Sequence, residues 1–126
     1  MTDSIISEDL RSRIGGCGCT EKQEYFCEVD FSPSFRGFAG HLEGNPIVPV
    51  VCQIELARVF AERILGKKLK TCEISQCRFR SPILAGMTAR CKLLIRPEDG
   101  NRIRLQAEIR VGENTACQVR LRAEAL

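Results

Sequence analysis

Between Pro49 and Gly66 the chain reads VVCQIELARVFAERIL, and this run constrains the fold more than any other. Proline at position 49 sits where a first helical turn tolerates it, and Gly66 followed by Lys67 and Lys68 supplies a stop. The sequence therefore predicts one long helix from Val50 to Leu65. On its wheel Val50, Ile54, Leu56, Ala57, Phe60, Ala61, Ile64 and Leu65 spread over most of the circumference. Glu55, Arg58 and Glu62 line up among them as a narrow polar stripe. A helix that apolar has to be wrapped by other structure on most sides.

The chain after it can do the wrapping. Ile103, Leu105, Ala107, Ile109 and Val111 alternate with Arg102, Arg104, Gln106, Glu108 and Arg110, the period of a half-buried strand. Cys117, Val119, Leu121 and Ala123 repeat the pattern, as do Ala89, Cys91, Leu93 and Ile95. Turn residues at Pro97–Asn101 and at Gly112–Asn114 join these runs as antiparallel hairpins. Lys70 to Phe79 reads as a further strand with an irregularity, because Ile74 and Cys77 are out of phase. Upstream, Glu24 to Phe31 has strand composition, Gly15 to Thr20 reads as a turn, and a short helix is expected in the first fourteen residues, starting near Ser7. The expected plan is strand, long helix, then four strands, an α+β fold in which a bent antiparallel sheet wraps one helix.

With 126 residues, 44% of them apolar and 28% charged, the chain is expected to form a single domain over residues 1–126 around one core. It has no apolar run of bilayer-spanning length, and MTDSIISEDLRSR carries acids where a secretory signal would not; a cytoplasmic protein is expected. The eight cysteines then read as thiols. Cys72, Cys77, Cys91 and Cys117 fall among inward-facing strand positions, where cysteine serves as a small core residue. Cys17 and Cys19 form a Gly-Cys-Gly-Cys element, and no C-x-x-C pair occurs, so no metal site is expected. The formal charge is +3, and arginines recur through the second half at outward strand positions. That is a solvated sheet face, or a basic surface for an anionic partner. Nucleic acid is not expected, because the basic residues are not interleaved with aromatics and tryptophan is absent.

The stretch GFAGHLEGNPIVPVVCQIE, which leads into the helix, holds the only histidine, His41. Glycine before it permits close backbone approach, and Pro46 and Pro49 stiffen the path into the helix. Histidine exchanges protons near neutrality, and a carboxylate such as Glu55 can act as its partner. The first N–H groups of the helix, near Val50 and Val51, have no intrahelical acceptor and can stabilise an oxyanion. An alternative stands beside this: Glu55 pairs with Arg58, itself four residues from Glu62, as a charge ladder along the helix. Spacing alone does not choose between them.

The run GHLEGNPIVPVVCQIE resembles the signature of the beta-hydroxyacyl-acyl-carrier-protein dehydratases, with the same His-to-Glu spacing, and CRFRSPILAGM (residues 77–87) is similar to that family's later motif. The match departs at Leu42, Glu43, Val50, Ala85 and Met87; at Val50 the family has glycine. This is the pattern of a divergent member. The resemblance implies the hot-dog fold, with two subunits pairing edge to edge as a homodimer or a higher assembly of dimers. It implies reversible dehydration of a 3-hydroxyacyl thioester on acyl carrier protein, or on coenzyme A, without cofactor or metal. His41 would be the acid/base at the α-carbon, Glu55 of the other subunit would hold and protonate the leaving β-hydroxyl, and the backbone N–H of Val50 would polarise the thioester carbonyl. Gly40, Pro46, Ile47, Val51 and Val59 would contact substrate, with the acyl chain in an apolar tunnel beside the helix. Arg36, Arg78 and Arg80 would meet the carrier. A thioesterase or coenzyme-A hydratase on the same fold, or a non-catalytic carrier-binding protein, are the alternatives.

Overall fold

The computed structural model describes residues 4–38 and 46–126. Helix α1 spans Ile5–Arg13 and is capped by Ser4, whose side chain accepts from the Ser7 N–H. The cap lies three residues before the expected start, and Ser7 is instead buried inside the helix. Strands β1 (Ile14–Cys19) and β2 (Tyr25–Phe31) follow, then a single 3-10 turn at Arg36–Phe38. Helix α2 covers Val50–Leu65, the predicted bounds, and is closed by Gly66 in the left-handed region (φ 68°), whose N–H returns to the Glu62 carbonyl. Strands β3 (Leu69–Phe79), β4 (Met87–Pro97), β5 (Arg102–Val111) and β6 (Asn114–Ala125) complete the fold.

All neighbouring strands are antiparallel, in the order β1-β2-β4-β5-β6-β3. Register places the small and branched residues of three strands side by side: Cys91 opposite Ile109 opposite Cys117, and Leu93 opposite Ala107 opposite Val119. These side chains are buried, and α2 packs on β3, β4, β5 and β6. Leu56, Ala57, Val59, Phe60 and Ala61 are each at most 1% exposed, so the helix is enclosed as its composition demanded. This is the α+β hot-dog arrangement, a long helix wrapped by an antiparallel sheet.

Two sequence readings are corrected. Residues 14–19 form strand β1 rather than a turn. Gly18 lies under the Phe26 ring, where an added Cβ would come within 2.3 Å of it, so this position of the edge strand accommodates glycine. Cys72 is exposed rather than inward-facing, because β3 slips register against β6 between Thr71 and Glu73 and again between Ile74 and Gln76. Cys77 is half-buried, while Cys91 and Cys117 are buried as expected.

Candidate active site

The chain enters α2 under tight constraint. Residues 46–48 run alongside residues 83–85: Ala85 N–H donates to the Pro46 carbonyl at 3.1 Å, Val48 N–H donates to the Ile83 carbonyl at 2.8 Å, and Ile47 bridges Leu84. The two separated motifs of the sequence therefore meet in space. Gly86, at φ 92°, turns the second segment and donates to the Phe31 carbonyl at 2.7 Å. Below this tether the 3-10 turn presses on α2 at Gly37, where a Cβ would sit 2.9 Å from Cys52 Sγ.

At the start of α2 the Pro49 carbonyl accepts from both Cys52 and Gln53 N–H groups, at 3.0 and 3.2 Å. The N–H groups of Val50 and Val51 have no partner among the described residues, as helix geometry dictates for a first turn. Both side chains are open, Val50 at 48% and Val51 at 64% exposure, and Ile47 joins them at 44%. Pro46 is half-buried beside them. Val59 is apart from this group, fully buried in the core two turns further along. Gln53 is buried with its Nε2 donating to the Val48 carbonyl at 3.3 Å; its Oε1 has no partner among the described residues.

Glu55 projects toward α1 into a network. Its Oε2 accepts from Ser7 Oγ at 3.1 Å, Arg58 Nη2 at 2.6 Å and Arg58 Nε at 3.2 Å. Arg58 Nη2 also donates to Ser7 Oγ at 2.9 Å, closing a triangle. The other arm of Arg58 reaches Glu62 Oε2 at 2.8 Å, which also accepts the Leu69 N–H at 2.8 Å, and Arg11 Nη2 donates to Glu62 Oε1 at 2.9 Å. The predicted ladder from Glu55 through Arg58 to Glu62 is therefore present, and α1 covers it. Glu55 is not sealed by it: Ser4, Ser7, Glu55, Arg58, Lys68 and Lys70 help line an open cavity of about 340 Å³. The carboxylate charge is felt locally, since burial and then Glu55 push the Cys52 thiol up to about 11.

His41 and Gly40 lie outside the described residues. Arg36, Arg78 and Arg80 are exposed on separate elements: the 3-10 turn, β3, and the residue after it. Ser7 was missed as a site residue. It sits in an unremarkable polar run, and only the packing of α1 on α2 brings it to Glu55.

Comparison with known proteins gives the family and the fold. The ApeI-like family, described as ApeI dehydratase, matches residues 18–120. No curated protein matches in sequence. Among solved structures, the dehydratase heterocomplex ApeI:P from Xenorhabdus doucetiae superposes with a TM-score of 0.65 at 22% identity, covering 80% of this chain and 87% of that one. An uncharacterized protein from Erwinia carotovora subsp. atroseptica gives 0.66 at 22% identity, over 90% and 93%. An acyl-CoA hydrolase from Staphylococcus aureus, in complex with butyryl coenzyme A, coenzyme A and coenzyme A disulfide, gives 0.60 at 15% identity, over 82% and 65%. At these identities the structures establish the hot-dog fold, while the family match spans most of the sequence and includes the helix that carries Glu55; this chain is a divergent member of the ApeI-like dehydratase family.

Proposed function

We propose that the chain, as one hot-dog domain over residues 1–126, reversibly removes water from a 3-hydroxyacyl thioester to give a trans-2-enoyl thioester. The observation that supports this reading is that α2 offers both parts a site shared between two subunits needs, open N–H groups at Val50 and Val51 and a Glu55 carboxylate bordering an open cavity. His41 takes the α-proton, the Val50 N–H stabilises the enolate oxygen that develops from the thioester carbonyl, and Glu55 of a second subunit engages the β-hydroxyl. Gly40, Pro46, Ile47 and Val51 border the acyl chain, and Val59, fully buried, backs it only from within the core. The exposed apolar side chains of Ile47, Val50 and Val51, with Ile74 on edge strand β3, are the surface that a homodimer partner would cover. Arg36, Arg78 and Arg80 present positive charge to an acidic acyl carrier protein.

A heteromeric assembly is the second reading, favoured by the Xenorhabdus relative being a dehydratase heterocomplex. In it, this chain supplies Glu55 to a different hot-dog subunit. The test is incubation with 3-hydroxyacyl carrier protein, and separately with enoyl and acyl coenzyme A, followed by mass. Enoyl product that disappears in His41→Ala supports the dehydratase. Release of free thiol instead identifies a thioesterase, and carrier binding without turnover by the isolated chain identifies a non-catalytic subunit.

A further inference from the structure

We infer that Arg58 and Ser7 are positioning residues for Glu55, and that they make it a hydrogen-bond acceptor for the β-hydroxyl rather than the donor of its departing proton. The inference rests on the dehydratase reading above. Among the described residues, three hydrogen bonds reach the Glu55 carboxylate, and all fall on Oε2, from Ser7 and from two nitrogens of Arg58. Oε1 has no partner among the described residues, and the side chain borders the 340 Å³ cavity. One oxygen is pinned and the other is presented.

The pinning is itself rigid. Arg58 is held on its far side by Glu62 and by the Leu69 carbonyl, and Ser7 by Ser4 Oγ at 2.9 Å. Three elements, α1, α2 and the start of β3, fix the guanidinium before it fixes the carboxylate. A planar guanidinium spanning two carboxylates sets orientation as well as charge. As half of an ion pair Glu55 is an acceptor only. Its Oε1 then takes the hydrogen bond of the substrate's β-hydroxyl and aligns the C–O bond. The proton balance follows. His41 removes the α-proton, the C–O bond breaks, and the imidazolium returns that proton to the leaving hydroxide, so that water departs and His41 is neutral again. Glu55 neither gains nor loses a proton.

The experiment compares kcat and KM for 3-hydroxyacyl carrier protein in the wild type, Arg58→Lys, Arg58→Met, Ser7→Ala, Glu55→Ala and the Glu55→Ala/Arg58→Met double variant. Loss of charge-assisted bonds to Oε2 is expected to lower kcat about 10–100-fold in Arg58→Met with KM changed less than about threefold. Ser7→Ala should lose about 3–10-fold, and Arg58→Lys should fall between wild type and Arg58→Met. Adding guanidinium should restore part of the kcat of Arg58→Met, and the Arg58 change should cost nothing further once Glu55 is absent. A merely structural arginine does not give the last of these results, because its effect persists in the Glu55→Ala background. If Arg58→Met does not fold, Ser7→Ala and Arg58→Lys carry the test. Wild-type kcat in both, or an Arg58 effect undiminished in the Glu55→Ala background, overturns the assignment alone. A wild-type chain that dehydrates no 3-hydroxyacyl thioester overturns the assignment together with the reading beneath it.

Discussion

The N–H of Val48 donates to the carbonyl of Ile83 across 2.8 Å, and this bond fastens the entry of α2 to the loop before β4. Val48 is 1% exposed and Ile83 is fully buried, so the joint is made inside the core. Its consequence is functional. The first turn of α2, with the open N–H groups of Val50 and Val51, is held by residues far away in sequence.

Ile83→Ala should therefore do more than hollow the core. Deleting a fully buried isoleucine costs about 2–5 kcal/mol, and urea unfolding monitored by circular dichroism measures it. Because the tether borders the candidate oxyanion donors, the folded variant should also lose turnover under conditions where it is fully native. Full activity in a destabilised but folded Ile83→Ala would show that the backbone tether holds the first turn without the isoleucine side chain packed beneath it.

The buried carboxylate of Glu62 is a different kind of anchor. Its side chain is 6% exposed and receives Arg11, Arg58 and the Leu69 N–H. Glu62→Gln keeps the shape but turns an all-acceptor group into one with two donors, leaving part of this set unpaired. A loss of about 3 kcal/mol is expected, since breaking a buried ion pair strands its partners. In a domain of this size that is a fall of about 10 °C in Tm, readable by calorimetry. A change below 2 °C would show that water can replace the carboxylate.

How much of this was legible in the sequence depends on how strongly each segment states its period. Helix α2 announces itself by its apolar wheel, its proline and its glycine, and the structure reproduces its bounds. Strands β4, β5 and β6 alternate cleanly because one face packs on α2 and the other meets solvent. Strand β1 does not, because Ile14–Cys19 has three glycines and so no side-chain alternation to read. Cys72 misleads for a related reason: the register slips in β3 break the period at the residue being placed. Glu55 could be named from the sequence, with its ladder to Arg58 as the stated alternative. The geometry shows that ladder and, in addition, a cavity beside it. The Ser7 contact is a tertiary relation between α1 and α2 for which no local pattern exists.

Gly37 marks a place where backbone approach leaves no room. A Cβ there would lie 2.4 Å from the Phe35 ring and 2.9 Å from Cys52 Sγ. Phe35 is 2% exposed and packs edge-on against Phe31 and Phe38 at centroid distances of 5.1 and 5.2 Å, so it cannot swing aside freely. Gly37→Ala is expected to cost about 1–3 kcal/mol through overpacking. Denaturant unfolding gives the value, and an unchanged midpoint would mean that the 3-10 turn shifts without penalty.

The cysteines give a prediction with a defined pH window. Burial, with Glu55 adding its charge, holds the Cys52 thiol up at about 11, and burial with Cys77 nearby holds Cys117 at about 12, against an ordinary thiol value of 9.0. A group whose value is raised on folding keeps its proton longer in the native state than in the unfolded chain. Its contribution to stability is therefore complete below about pH 9 and is lost as pH rises through 11 and 12. The unfolding free energy should accordingly decline above pH 9, and Cys52→Ala should decline less steeply than the wild type over that range. Reactivity follows the same division. Cys17, Cys19 and Cys72 are exposed and should label first with a thiol reagent at pH 8, whereas Cys27, Cys52, Cys91 and Cys117 are buried and should label only on unfolding. Equal alkaline slopes for wild type and Cys52→Ala, together with rapid native labelling of Cys52, would place that thiol in solvent and remove it from the packing between α2 and the 3-10 turn.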